Sequence, residues 1–292
     1  MMGQGNRVDL ALKLYQEGQV DKAKAAFDNL STDNEYKGNA TVWFWKGYIE
    51  KELYKQNEKD QYNSKLRLAS VKSLYTSLEL DVKNEHKTDA INTLNYLSST
   101  LYNDVVRLIT PSNSTGLIDD KSIEQSIENF DIYLDIKKNI DPQGDYKSQI
   151  TQFNIVIGQN FMKKYEAGNY ENQDYMNQAI LRFQNVLDAD SNHVKANYNM
   201  ALIYYNKSVY MINNMDYDRP IEALNEIIDE TNELFKKALP YMIRAYKLEP
   251  KRKETLKGLA GIYWSLNDKE KSELYFKQYQ EIDSLEKQEE KD

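Results

Sequence analysis

The chain of 292 residues carries two histidines, His86 and His193, no cysteine and 46 acidic residues, and these limit the chemistry open to it. An imidazole acid–base step must use one of the two histidines, the side chain that titrates unaided near neutral pH. Both fall at turns between helical stretches, where a solvated turn residue is the plainer reading. The lack of Cys removes disulfides, thiolate nucleophiles and cysteine-held zinc. Asp188, Asp190 and Asn192 have the alternating oxygen spacing that opens a calcium loop. The loop then departs twice, with His193 where the sharp turn needs Gly and Asn199 where a bidentate Glu belongs. A turn between helices is the reading kept. No HExxH, GxSxG, GxGxxG or phosphate-loop pattern occurs. Among so many acids, close carboxylate pairs arise by chance. The expectation is no catalytic residue, no metal and no cofactor, and so no enzyme.

The elements that position these residues are helices. Only 11 Gly and 5 Pro in a chain that is 40% hydrophobic and 29% charged is the composition of long helices joined by short turns. A net charge of -8 argues against nucleic acid, since phosphate binding needs clustered Lys and Arg. No apolar run approaches the roughly 18 residues of a membrane span. The start, Met1 to Asn6, has no apolar signal-peptide core. Export to the periplasm or cell envelope, with a signal peptide not part of this chain, is the expectation, and the cytoplasm the alternative. The 23 Tyr and three Trp raise the idea of a stacking platform for sugars or bases. Packing between helices accounts for most of them, with the Tyr hydroxyl reaching solvent.

A ladder of residues repeats along the chain. Ala238, Met242, Ala245 and Pro250 are matched 34 residues later by Ser272, Phe276, Tyr279 and Ser284. The same steps of four, three and five recur at Ala179, Phe183, Val186, Ser191 and, more substituted, at Ser126, Phe130, Tyr133, Lys138 and at Ser70, Leu74, Ser77, Val82. Ahead of several ladders a small residue is followed three positions on by a larger apolar one: Gly158 with Phe161, Ala201 with Tyr204, Ala260 with Tyr263, Ala11 with Leu14. Steps of three and four hold residues on one helix face, so each unit reads as two antiparallel helices. The small residue lets the second helix approach closely. The pairs fall at roughly 7–32, 41–82, 86–139, 147–190, 194–250 and 253–285, with the loop Thr110 to Gly116 dividing the third. One repeat domain over 1–285 and a charged, fraying tail over 286–292 follow.

This period and these residues resemble the tetratricopeptide repeat (TPR) family, most specifically at Met200-Ala201, Tyr204, Ala245 to Pro250, Leu259-Ala260, Tyr263 and Phe276. Trp43 and Gly47 resemble the start of another repeat, although Glu50 stands in its aromatic slot, and residues 85–140 match only in their second helix. The resemblance implies an all-α, right-handed superhelical solenoid of about six antiparallel pairs. It implies a protein-interaction scaffold, similar to bacterial TPR proteins that often work at the cell envelope, whose first helices line a concave groove for a protein or peptide. On the matching positions that groove presents Phe44, Tyr48, Gln159, Lys195, Tyr198, Asn199, Tyr205, Asn206 and Trp264, whereas Trp43 is structural. The carboxylate clamp with which some TPR domains grip chaperone tails is rejected, because of Ile155, Gln159, Asn199, Glu254 and Gly258 only Asn199 fits it. The alternatives are a glycan-binding envelope protein and a hydrolase using paired carboxylates.

The fifth pair departs furthest. The step from Tyr263 to Ser272 is nine, but from Tyr204 to Ala238 it is 34, an insertion of 25 residues. Val209, Ile212 and Met215 extend the first helix. Asp218 and Pro220 read as N-cap and first-turn proline of the second, which Ile221, Leu224, Ile227 and Ile228 carry onward. This predicts an elongated hairpin, its second helix bent near Lys236 by Pro240.

Overall fold

The computed structural model describes residues 4–111 and 115–289. Among them are twelve α-helices and no strand, so the all-helical expectation is met. In chain order they are α1 (Gln4–Gln16), α2 (Val20–Thr32), α3 (Ala40–Leu53), α4 (Lys65–Leu80), α5 (Lys87–Leu108), α6 (Asp120–Ile140), α7 (Lys147–Ala167), α8 (Gln173–Ala189), α9 (Val194–Asn213), α10 (Ile221–Leu248), α11 (Lys253–Ser265) and α12 (Lys269–Glu289). A π-helical turn, Tyr54–Glu58, continues α3. The residues form two compact units, 1–145 and 146–292. Within each unit every odd-numbered helix packs against the even-numbered helix after it, the arrangement of a helical-repeat protein.

The ladder residues of the second helices are the core. Leu74, Phe130, Phe183 and Met242 are buried, as are the residues three positions after them. The small residues opposite explain how they fit. A Cβ added at Gly47 would stand 2.8 Å from the Leu74 side chain, and one at Gly158 would stand 2.7 Å from the Phe183 ring. Two of the three ladders that open on Ser use the hydroxyl to reach the facing helix, Ser70 donating to the Gly47 carbonyl at 2.7 Å and Ser272 to that of Ala260 at 2.9 Å, whereas Ser126 donates to the Ile123 carbonyl of its own helix at 2.7 Å. Phe276 departs from the pattern and is 48% exposed; among the described residues α12 packs mainly on α11.

Local signals end the helices. Asn39, Ser64, Asp119 and Asn172 each accept a backbone N–H from the first turn they cap. Asp268 caps α12 through Lys271 N, and Asn267 before it takes the left-handed conformation expected of a turn. In the calcium-like stretch, Asp190 accepts from Asn192 N at 2.9 Å and His193 Nδ1 from Ala196 N at 3.2 Å, so both serve the turn and the start of α9. Of the loop between α5 and α6, Ser112 to Ser114 lie outside the described residues, as do residues 290–292 of the tail. Trp43 is half-buried, its Nε1 donating to the Lys37 carbonyl at 2.8 Å and pinning the turn before α3.

The fifth pair is elongated. α9 has 20 residues and α10 has 28, about 42 Å at 1.5 Å per residue. Ser208 and Thr231 are buried between them, and the Ser208 hydroxyl donates to the Thr231 carbonyl at 3.2 Å. The expected N-cap is corrected. Pro220, not Asp218, precedes the first helical residue, because Asp218 is held in a turn by its N–H to Asp216. α10 runs without a break through Pro240.

Polar groups are buried where α4 meets α5. The Arg67 guanidinium, 1% exposed, donates to Asp104 at 2.6 Å and to the Tyr62 carbonyl at 2.7 Å.

Two outcomes test this packing. Gly158→Ala is expected to destabilise by about 1–3 kcal/mol in urea unfolding, although Ala is the better helix former, because the Phe183 ring has no room to yield. Asp104 also pairs with Arg107, so Arg67→Met leaves that buried carboxylate one ion-pair partner and is expected to cost about 1–3 kcal/mol, with the double variant Arg67→Met/Asp104→Leu recovering part of it.

Candidate functional site: an aromatic cleft on the first helices

Within the N-terminal unit α3 also contacts α5, and between them lies a cleft of about 610 Å³. Phe44, Trp45, Tyr48 and Lys51 line it from α3, and His86, Asp89, Asn92, Thr93 and Tyr96 from α5 and its cap. The helical period explains the grouping, since steps of three and four bring 45, 48 and 51 to one face of α3 and 89, 92, 93 and 96 to one face of α5. The small residue Gly47 points the other way, toward Leu74. Close packing on that side therefore leaves the aromatic side uncovered.

The rings meet mostly at edges. Trp45 and Tyr48 are T-shaped at 5.6 Å, Phe44 and Trp45 at 5.4 Å, and Tyr15 of α1 adds an edge contact to Tyr48 at 6.1 Å. His86 lies in the turn before α5, as its position in the sequence implied, but its ring is half-buried and engaged and not freely solvated. It stacks flat on Phe44 at 4.6 Å, and its Nε2 lies 2.9 Å from the Thr41 hydroxyl. Long-range packing of α5 on α3 brings it there. The Lys51 ammonium sits 3.7 Å above the Tyr48 ring and pairs with Glu52. Burial pushes the Glu52 carboxyl up, but hydrogen bonds from Lys51 and Lys55 win and hold it below the usual range.

Beneath the cleft a polar network replaces the aromatic residue expected at position 50. Glu50, 2% exposed, accepts from Ser73 Oγ at 2.7 Å and pairs with Lys46 at 3.2 Å, while Lys46 also pairs with Asp28 of α2. Burial raises the Asp28 carboxyl, but its bonds to Lys24 and Lys46 outweigh that and lower it.

Phe44 and Tyr48 were expected to face a partner; here Tyr48 lines the cleft and Phe44, 4% exposed, forms its base under His86. The other seven residues lie in the C-terminal unit. Trp264 is 64% exposed and Lys195 is exposed; Gln159 and Asn206 are half-buried. Tyr198 lies beneath the Arg252 guanidinium at 4.0 Å, and Tyr205 packs its edge on Phe235, its hydroxyl 2.6 Å from where a Cβ on Gly261 would stand. Burial raises both hydroxyl pKa values. Asn199 is buried, and its amide nitrogen has no hydrogen-bond partner among the described residues. Sequence reasoning missed Trp45, Lys51, Asp89, Asn92, Thr93 and Tyr96. The signal was the spacing 89, 92, 93, 96, unused because residues 85–140 match the repeat only in their second helix.

Carboxylates such as Glu58 and Asp81 are raised by burial but shifted further downward by their hydrogen bonds, away from the range of a general acid at neutral pH. No helix among the described residues is long and apolar enough to cross a membrane.

The stacked helix pairs define a helical-repeat protein. No protein-family model matches the chain, and no curated protein matches it. Among solved structures, it is similar to PilW, a type IV pilus biogenesis factor, at 16% identity and a TM-score of 0.32, over 95% of this chain and 93% of that one. It is also similar to a monomeric mutant of IFIT1 with Gppp-AAAA, at 14% identity and a TM-score of 0.32, over 92% of this chain and 58% of that one.

The network gives a pH-dependent outcome. A lowered carboxyl stabilises the fold above the ordinary Asp range, and the contribution is lost as pH falls through the folded value. Asp28→Asn is therefore expected to lower Tm at pH 7, with the difference from wild type closing on acidification below about pH 4. An equal deficit at every pH in thermal melts would place the effect elsewhere.

Proposed function

We propose that the protein is an interaction scaffold of TPR-like helix pairs, one repeat domain over 1–285, and that the cleft between α3 and α5 binds a peptide or a protein segment. The observation that carries this is the pairing of an aromatic wall, Trp45 and Tyr48, with a polar wall, Asp89 and Asn92, in an open space of about 610 Å³. Aromatic anchors beside unpaired polar groups are how interfaces obtain both area and orientation. The Asp89 carboxylate makes no ion pair among the described residues, so it is left to meet a donor on the partner.

Ring geometry favours a peptide over a glycan. Sugars stack on open, flat ring faces, but here the Phe44 face is covered by His86 and the Tyr48 face by Lys51. Side chains fit between ring edges. A hydrolase of the glycosidase kind needs two carboxylates across its bond, and among the described residues Asp89 is the one carboxylate lining the cleft. We read the protein as a binding module, not an enzyme, with a protein partner and not a nucleic acid. The exposed first-helix residues Lys195 and Trp264 are proposed as further contacts of the C-terminal unit.

Panning a displayed peptide library on the whole protein tests this. Selected peptides are expected to lose affinity at least about tenfold on Trp45→Ala/Tyr96→Ala, with helicity by circular dichroism unchanged. Equal binding by wild type and variant would sink the proposal, and binding in a glycan array, lost in the same variant, would favour the sugar reading.

A further inference from the structure

The elongated fifth pair carries an apolar seam that runs past its own neighbour. Ile221, Ile228, Phe235 and Met242 stand at seven-residue steps on α10, and seven residues are close to two helical turns, so all four share one face. The lower two are core. Met242 packs where a Cβ on Gly258 of α11 would stand 2.6 Å away, and Phe235 is 1% exposed. α11 has 13 residues against 28 in α10, so the upper part of the seam has no α11 beside it. There Ile228 is 44% and Ile221 63% exposed, with Tyr217 of the turn at 74%.

The charge around this stretch has one sign. Between Asp216 and Glu233 there are seven acidic residues and one basic residue, Arg219. Three of the seven pair within the chain: Asp216 with Arg219, Glu230 with Lys207 and Glu233 with Lys236. Asp218, Glu222, Glu226 and Asp229 make no ion pair among the described residues. Glu222 and Asp229 each follow a seam isoleucine by one residue and so border it.

We infer that the upper seam of α10 is a second docking surface, independent of the aromatic cleft, and that its occupant is a basic amphipathic helix of a partner protein. A helix laid along α10 continues the packing that α11 provides lower down, its apolar residues at steps of three and four meeting Ile221 and Ile228. Its Lys and Arg meet the unpaired carboxylates bordering the seam. A second copy of this chain is the wrong occupant, because it would set two acidic borders against each other.

The chain has no Cys, so Asn225→Cys gives a single thiol for a fluorophore beside the seam. The probe is a synthetic peptide of about 18 residues with Leu at heptad a and d and Lys elsewhere, compared with the same pattern built on Glu. Saturable binding of the Lys peptide, weakened by salt, and no response to the Glu peptide are expected. Ile221→Ser/Ile228→Ser is expected to weaken the Lys peptide at least about tenfold. Glu222→Lys/Asp229→Lys is expected to weaken it likewise and to admit the Glu peptide. Unchanged affinity in either variant, or equal response to both peptides, would overturn the proposal. So would a dimer in sedimentation that the isoleucine variant abolishes, which makes a second copy the occupant.

Discussion

Two helices of a pair approach each other only as closely as their facing residues allow, and in this protein that distance is set by a small residue opposite a large one. Gly47 receives Leu74 and Gly158 receives Phe183, in each case with less room than one methyl group requires. The same relation works between pairs, where Gly258 receives Met242. Once these contacts close, the rotation of each first helix is settled, and with it which residues turn away from the core. Where the first helix comes this close, the Ser70 and Ser272 hydroxyls also donate across the pair, to the Gly47 and Ala260 carbonyls.

The N-terminal unit holds this geometry with polar groups where a more regular repeat uses apolar ones. Glu50 fills an aromatic slot because Ser73 and Lys46 satisfy it, and Arg67 fills space between α4 and α5 because Asp104 neutralises it. Such groups add little net stability over apolar residues of the same volume, but they penalise any other register heavily. The π-helical turn after α3 belongs to the same arrangement. It brings Glu58 to the start of α4, where its carboxylate accepts from Ser64 Oγ and from Leu66 N. Burial raises that carboxyl, and the hydrogen bonds lower it further than burial lifts it.

Function, on this reading, occupies the faces that packing leaves over. The turned-away side of α3 becomes the aromatic cleft because α5 lies against α3 closely enough to wall it but leaves Trp45 and Tyr48 half-exposed. The upper seam of α10 is left over for a different reason, that its neighbour is shorter. In both places apolar surface lies beside carboxylates that make no ion pair among the described residues, which is the ground for reading both as surfaces that meet another protein.

The amino-acid sequence alone determined the helices and their pairing, because a ladder of steps of three and four is a property of single helices and survives substitution of its members. It also determined the long hairpin, from an insertion that kept helical spacing. The placement of Tyr48 on the turned-away side of α3 was readable from Gly47, one residue before it. What tertiary structure decided was everything that depends on two helices at once. His86 read as a solvated turn residue, and only the packing of α5 on α3 laid its ring on Phe44, while Asp89, Asn92 and Tyr96 carry no repeat signature on their own helix. Tyr198 and Tyr205 were assigned to the open face by spacing, yet Arg252 and the close approach of Gly261 engage their rings. Spacing states which way a side chain leaves its own helix; whether water or another helix stands there depends on contacts between residues far apart in the chain.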